Sequence, residues 1–156
     1  KAKSVVKNDY LGARRNEIKK QDIMEKQYAK ELVEFIHESP TNFHAVANAK
    51  KELLGNGYKQ LFSGEAWQIE KGGKYFVTKN HSSLFAFEIG SGEIAEEGFK
   101  IICAHSDSPT FKIKPNAAMP VAGKYLKLNT EVYGGPIMYT WFDRPLSMAG
   151  RSCCVV

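Results

Sequence analysis

The sequence predicts an α/β fold, two helices followed by a mixed β-sheet, with the sheet incomplete. Three observations carry this expectation. Apolar residues recur at helical spacing in two stretches before residue 57, and after Tyr58 the pattern turns extended. Phe99 to Ala104 is then a nearly continuous apolar run, the pattern of a central strand covered on both faces.

Residues 1–20 are charged and weakly periodic, and read as a basic, loosely ordered arm or a frayed helix. From Asp22 onward Met24, Tyr28, Leu32, Phe35 and Ile36 mark a helix. It stops near Glu38, because Pro40 disfavours the helical region for Ser39. Thr41 or Asn42 can cap a second helix with Phe43, Val46, Ala47, Leu53 and Leu54 on its inner face, ended by Gly55 and Gly57. Gly72-Gly73 signals a turn into a strand at residues 74–79, and a second strand at 83–89 completes an antiparallel hairpin with a long connection. Residues 111–114 and 125–132 alternate apolar and polar side chains, as strands with one wet face do. Pro115 to Gly123 reads as the loop between them, and Gly134-Gly135-Pro136 as a further turn.

With 156 residues, 43% hydrophobic and 25% charged, the chain has the length and composition of one globular domain. Disordered, collagen-like and low-complexity classes are excluded for its bulk. No window approaches the roughly 18 consecutive apolar residues of a membrane helix, so no membrane partner is expected. The net charge of +5 sits in the first 30 residues, which carry nine Lys or Arg against four Asp or Glu; the rest is balanced. A nucleic-acid partner is disfavoured, because these basic residues fall on a leader and one helix and not over a folded face interleaved with aromatics. Cys103, Cys153 and Cys154 are too few for a disulfide framework and form no C-x-x-C pair, which makes a reducing, cytoplasmic location the expectation. A first residue that is Lys1, followed by no apolar signal core, carries the expectation that the true start has been lost.

The chemistry concentrates where the apolar run ends, at Ala104-His105-Ser106-Asp107-Ser108-Pro109. In open α/β sheets, ligand sites lie beyond the carboxyl ends of strands. Extended backbone puts residues two apart on one side, so His105 and Asp107 can face one pocket. There the imidazole can offer one nitrogen to a metal while Asp107 accepts the other ring N–H. Taken alone, His-x-Asp is equally compatible with a surface or capping pair. The other histidines fit structural roles: His37 at a helix end, His44 at a helix start, His81 in a loop. Cys103 precedes the site and reads as inert packing. No G-x-S-x-G elbow or phosphate loop is present.

Several blocks together resemble the aspartyl aminopeptidase family (metallopeptidase family eighteen). Ser39-Pro40-Thr41-Asn42-Phe43-His44-Ala45-Val46 is similar to its SPTPFHAV motif, and residues 72–78 and 82–87 to its next two blocks. Ala104 to Pro109 matches AHTDSP, and Phe111-Lys112-Ile113-Lys114-Pro115 matches LKLKP. Tyr133-Gly134-Gly135, Thr140 to Arg144 and Leu146 to Arg151 complete the set, so the likeness runs from about Glu25 to Arg151.

The resemblance implies the N-terminal part of a zinc-exopeptidase-like domain over residues 21–151. It implies peptide substrates, removal of N-terminal and often acidic residues, two Zn2+ per complete site, and a large homo-oligomer. It also implies His105 as the first zinc ligand and Asp107 as the catalytic carboxylate that orients it, with a glutamate elsewhere as general base. Ser152 to Val156 departs from the family's continuation, and the resemblance makes residues 152–156 a truncated end that leaves the remaining ligands absent. Beyond Asp107 the chain has no His, and its carboxylates are Glu131 and Asp143. A catalytic zinc takes about three protein ligands, so this chain alone is expected to be inactive. The alternative reading is an inactive fragment that acts only in assembly or interaction. Asp143 and Arg144 read as a structural ion pair or as contacts with the missing part.

Overall fold

The computed structural model describes residues 2–152, so Cys153 and Cys154 and most of the expected truncated end lie outside the described residues. The chain divides into two compact units between Ser39 and Pro40. The first is a single helix, α1 (Ala2–Glu38), which continues straight through the expected arm boundary near residue 20. Its composition explains the continuity. Side chains four apart support one another, with Gln21 donating to Glu25 (3.2 Å), Gln27 to Glu31 (2.6 Å), and Lys30 3.8 Å from Glu34. The apolar positions Met24, Tyr28, Leu32 and Ile36 remain exposed.

The second unit opens with α2 (Asn42–Gly55), whose ends are both built by local chemistry. Thr41 is its N-cap; the hydroxyl oxygen accepts from the His44 N–H at 3.4 Å and lies 2.8 Å from His44 Nδ1. At the other end the Tyr58 N–H reaches the Leu53 carbonyl (3.0 Å) and the Gly57 N–H the Leu54 carbonyl (3.2 Å). This Schellman pair requires a left-handed residue, and Gly57 supplies it at φ +81°. Of the expected inner face, Val46 is buried and Phe43 and Leu53 half-buried, while Ala47 and Leu54 are exposed. That face packs against β3.

Strands β1 (Lys59–Leu61), β2 (Lys74–Lys79) and β3 (Ser83–Glu88) form a mixed sheet in that order, parallel between β1 and β2 and antiparallel between β2 and β3. The core lies on β2: Tyr75 and Phe76 are both buried, Phe76 completely. Consecutive residues of a strand point to opposite faces, so β2 is covered on both sides. The Tyr75 ring lies 5.6 Å from that of its cross-strand partner Phe87, tilted by 34°, and Phe87 contacts Phe85 and Trp67. The β2–β3 connection is shorter than the sequence pattern implied. It is the three residues Asn80-His81-Ser82, because Asn80 and His81 both take left-handed backbone (φ 52° and 57°) and close a tight turn from the Lys79 carbonyl to the Ser82 N–H (3.1 Å).

After the one-turn α3 (Ile94–Glu97), the expected central strand does not form. Residues 98–109 belong to no sheet, and Ile102 is 99% exposed. The run has strand composition, but neither sheet among the described residues offers it a ladder partner. Cys103, expected to be packed, is exposed with it.

A second correction concerns the expected loop at 115–123. It is largely strand, since β4 (Thr110–Val121) pairs antiparallel with β5 (Tyr125–Tyr133) over nearly its whole length. Pro115 and Pro120 are tolerated there because both strands of a two-stranded sheet are edges. Pro115 falls in the irregularity between Ile113 and Ala118, which the Asn129 side chain spans by donating to the Asn116 carbonyl (3.3 Å). A 3-10 turn at Met138–Trp141 follows, with Trp141 edge-on to Phe111 at 5.2 Å.

Candidate metal centre

His105 and Asp107 are in direct contact, as their spacing predicts. The His105 Nδ1 lies 3.1 Å from Asp107 Oδ1 and 2.8 Å from the Asp107 backbone carbonyl. Both oxygens are acceptors when Asp107 is ionised, so Nδ1 carries the hydrogen and the neutral ring presents its lone pair at Nε2. The imidazole side chain is 80% exposed and the carboxylate 40%, so the pair stands on an open surface.

Three contacts from elsewhere in the chain hold this segment. The Ser106 hydroxyl donates to the Ser82 carbonyl (3.1 Å), tying the loop to the β2–β3 turn. Pairing of Thr110 with Tyr133 brings the end of β5 beside the start of β4, and there the Tyr133 hydroxyl donates to Asp107 Oδ2. Gly134 follows at φ +73°, and Pro109 packs so close that a Cβ on Gly134 would sit 3.4 Å from its ring.

These contacts set the charge state. The Tyr133 hydrogen bond, opposed by some desolvation and helped by His105, holds the Asp107 carboxyl below its usual range. The same bond, with the adjacent negative charge, pushes the Tyr133 phenol above its ordinary value. Lys112 lies 5.8 Å over the Tyr133 ring. Tyr133 is the participant that sequence reasoning missed. It stood out only as the first residue of a Tyr-Gly-Gly block, and no spacing rule links positions 107 and 133.

The remaining candidates stay apart from this pair. His37 is in the last turn of α1, His44 is engaged by the N-cap threonine, and His81 occupies the left-handed turn. Asp143 adopts φ 56°, and no ion pair joins it to Arg144 among the described residues. No group of three or more His, Cys, Asp or Glu side chains converges among the described residues. The donor set therefore fits one corner of a zinc site, an imidazole backed by a carboxylate, and not a closed coordination sphere.

Comparison with known proteins places this geometry in context. The chain is 56% identical over 127 residues to a probable M18 family aminopeptidase 2 of Clostridium acetobutylicum, covering 81% of this chain and 29% of that protein. It is 45% identical over 121 residues to a probable aspartyl aminopeptidase of Ricinus communis, covering 78% and 24%. Among solved structures it resembles the mApe1 dodecamer of S. cerevisiae with a TM-score of 0.67 and 32% identity, over 75% of this chain and 27% of that one. The chain thus spans less than a third of the length of the curated relatives it matches. Residues 35–154 match the profile of the aminopeptidase I zinc metalloproteases (M18), and the chain belongs to that family.

Proposed function

We propose that this chain is the N-terminal part of a zinc aminopeptidase that releases N-terminal residues, acidic ones among them, from peptides. Its share of the active site is His105 as a metal ligand through Nε2 and Asp107 as the carboxylate that orients the ring. The observation that carries the reading is the His105–Asp107 contact, which leaves a lone pair on an exposed nitrogen in a chain of a zinc metalloprotease family.

Zinc, when bound, supplies Lewis-acid polarisation of the scissile carbonyl. The chain's own residues do the positioning. Asp107 keeps the His105 hydrogen on Nδ1, and its negative charge makes the ring a better donor at Nε2. Ser106 anchors the loop to the β2–β3 turn, so that His105 sits on fixed backbone. The donors that complete the coordination sphere lie outside the described residues. Within this chain we place a basic arm over residues 1–20 and the N-terminal portion of the catalytic domain over 21–151. The whole protein is a homo-oligomer in the cytoplasm, a reading supported by the dodecameric relative and by the small number of cysteines. No described helix is long and apolar enough to cross a membrane.

The test is made on the protein at the full length of its relatives. His105→Ala is expected to lower zinc content and abolish release of aspartate and leucine from the amino ends of short peptides. Unchanged metal and unchanged turnover would overturn the assignment.

A further inference from the structure

We propose that Tyr133 is a positioning residue, which fixes the hydrogen of His105 on Nδ1 by holding the Asp107 carboxylate in place. This rests on the preceding reading only in taking His105 as the ligand; the linkage itself stands on the geometry.

A carboxylate two residues from an imidazole on a surface loop is free to rotate about its side-chain bonds, and at 3.1 Å its contact with Nδ1 is long for a charge-assisted hydrogen bond. Something must fix its orientation for that contact to persist. Among the described residues, the other side chain bonded to the Asp107 carboxylate is Tyr133, on the opposite oxygen. The division of labour is chemically specific. A phenol is a donor of high pKa, so it binds the carboxylate without protonating it and leaves Oδ1 to accept from the ring. An Arg or Lys in its place would neutralise the charge that makes His105 a strong donor.

Tyr133 is itself held by features that need no metal. Its backbone is in register with Thr110, three residues from Asp107. The Lys112 ammonium lies over its ring. The next residue, Gly134, takes positive φ and lets Pro109 close against it, which fixes the angle at which β5 delivers the phenol. Without the phenol, Nδ1 keeps the Asp107 backbone carbonyl at 2.8 Å but loses a fixed carboxylate.

The test reads the tautomer directly. Nitrogen-15 NMR of the His105 ring in the metal-free protein, above the pH at which imidazole titrates, is expected to show the Nδ1–H form. In Tyr133→Phe the Nε2–H fraction is expected to rise about threefold or more, and zinc affinity to fall roughly tenfold. Tyr125→Phe removes a phenol from the far end of the same strand and is expected to change neither. In an Asp107→Asn background the effect of Tyr133→Phe is expected to vanish, because the two act through one carboxylate. Circular dichroism checks the fold. If Tyr133→Phe does not fold, Tyr133→Leu, which also lacks the hydroxyl, carries the same test. A wild-type tautomer and wild-type zinc affinity in folded Tyr133→Phe overturn the proposal and leave the zinc reading intact. Zinc binding that survives His105→Ala overturns the zinc reading, while the tautomer measurement still judges the role of Tyr133.

Discussion

Two apolar runs, residues 74–79 and 99–104, look alike in the sequence and end in opposite environments. The first is β2, which buries Tyr75 and Phe76 between two hydrogen-bonded neighbours. The second belongs to no sheet, and Phe99, Ile101 and Ile102 stand in solvent. The difference teaches that an apolar extended run states only a capacity to form a strand. Ladder partners on each side and a cover on each face decide whether it is used. The candidate metal centre follows the unpartnered run, so its geometry comes from contacts with Ser82, Tyr133 and Gly134 rather than from a strand of its own.

The sharpest way to break this comparison is to replace one apolar side chain in each run. Phe76→Ala is expected to cost about 3–5 kcal/mol, the range for a fully buried aromatic, read as a lower midpoint in urea unfolding. Ile102→Lys is expected to leave that midpoint within about 0.5 kcal/mol while reducing self-association in light scattering, because it removes exposed apolar surface. Equal losses from the two substitutions would mean that residues 99–104 are packed in solution.

A smaller effect probes how the core of β2 is entered. A Cβ on Gly73 would fall 2.4 Å from the Tyr75 ring, so Gly73→Ala must displace a buried aromatic. It is expected to cost about 1–3 kcal/mol, as overpacking does. Gly135→Ala, which meets nothing within 4 Å, serves as the control in the same thermal melts. Loss of the α2 cap in Thr41→Ala is expected to cost about 1 kcal/mol in such melts.

The smallest expected effect is electrostatic. Glu88 accepts from the Tyr58 hydroxyl (2.5 Å) and pairs with Lys74 (3.1 Å). The tyrosine bond first, and then the lysine, hold its carboxyl below the usual range. A depressed carboxyl stabilises the fold above its unfolded value and loses that contribution as pH falls through the folded one. In Tyr58→Phe the Glu88 midpoint is expected to move up toward the ordinary carboxylate value in an NMR titration. A midpoint that does not move would assign the depression to Lys74 alone.

Local chemistry was legible in advance. The α2 cap at Thr41, its stop at Gly57, the Gly72-Gly73 turn and the β2–β3 pair all follow from residues within a few positions of one another. His105 and Asp107 meet for the same reason, being two residues apart. What the sequence pattern misjudged was nonlocal. The alternation at residues 111–114 and 125–132 left 115–123 reading as the loop between them, but β4 runs on to Val121 as one edge of what is, among the described residues, a two-stranded sheet. Tyr133 escaped notice because its link to Asp107 passes through the register of β4 against β5.

The amino-acid sequence by itself determined where α1 stops, both ends of α2, the glycine turns, the histidine–aspartate contact and, through its ordered motifs, the family. Only the tertiary structure decided which apolar run became core, how far β4 extends, and which side chain secures the Asp107 carboxylate. Caps and turns are closed by hydrogen bonds within a few residues, whereas burial and register depend on segments far apart in the chain that must first be brought together.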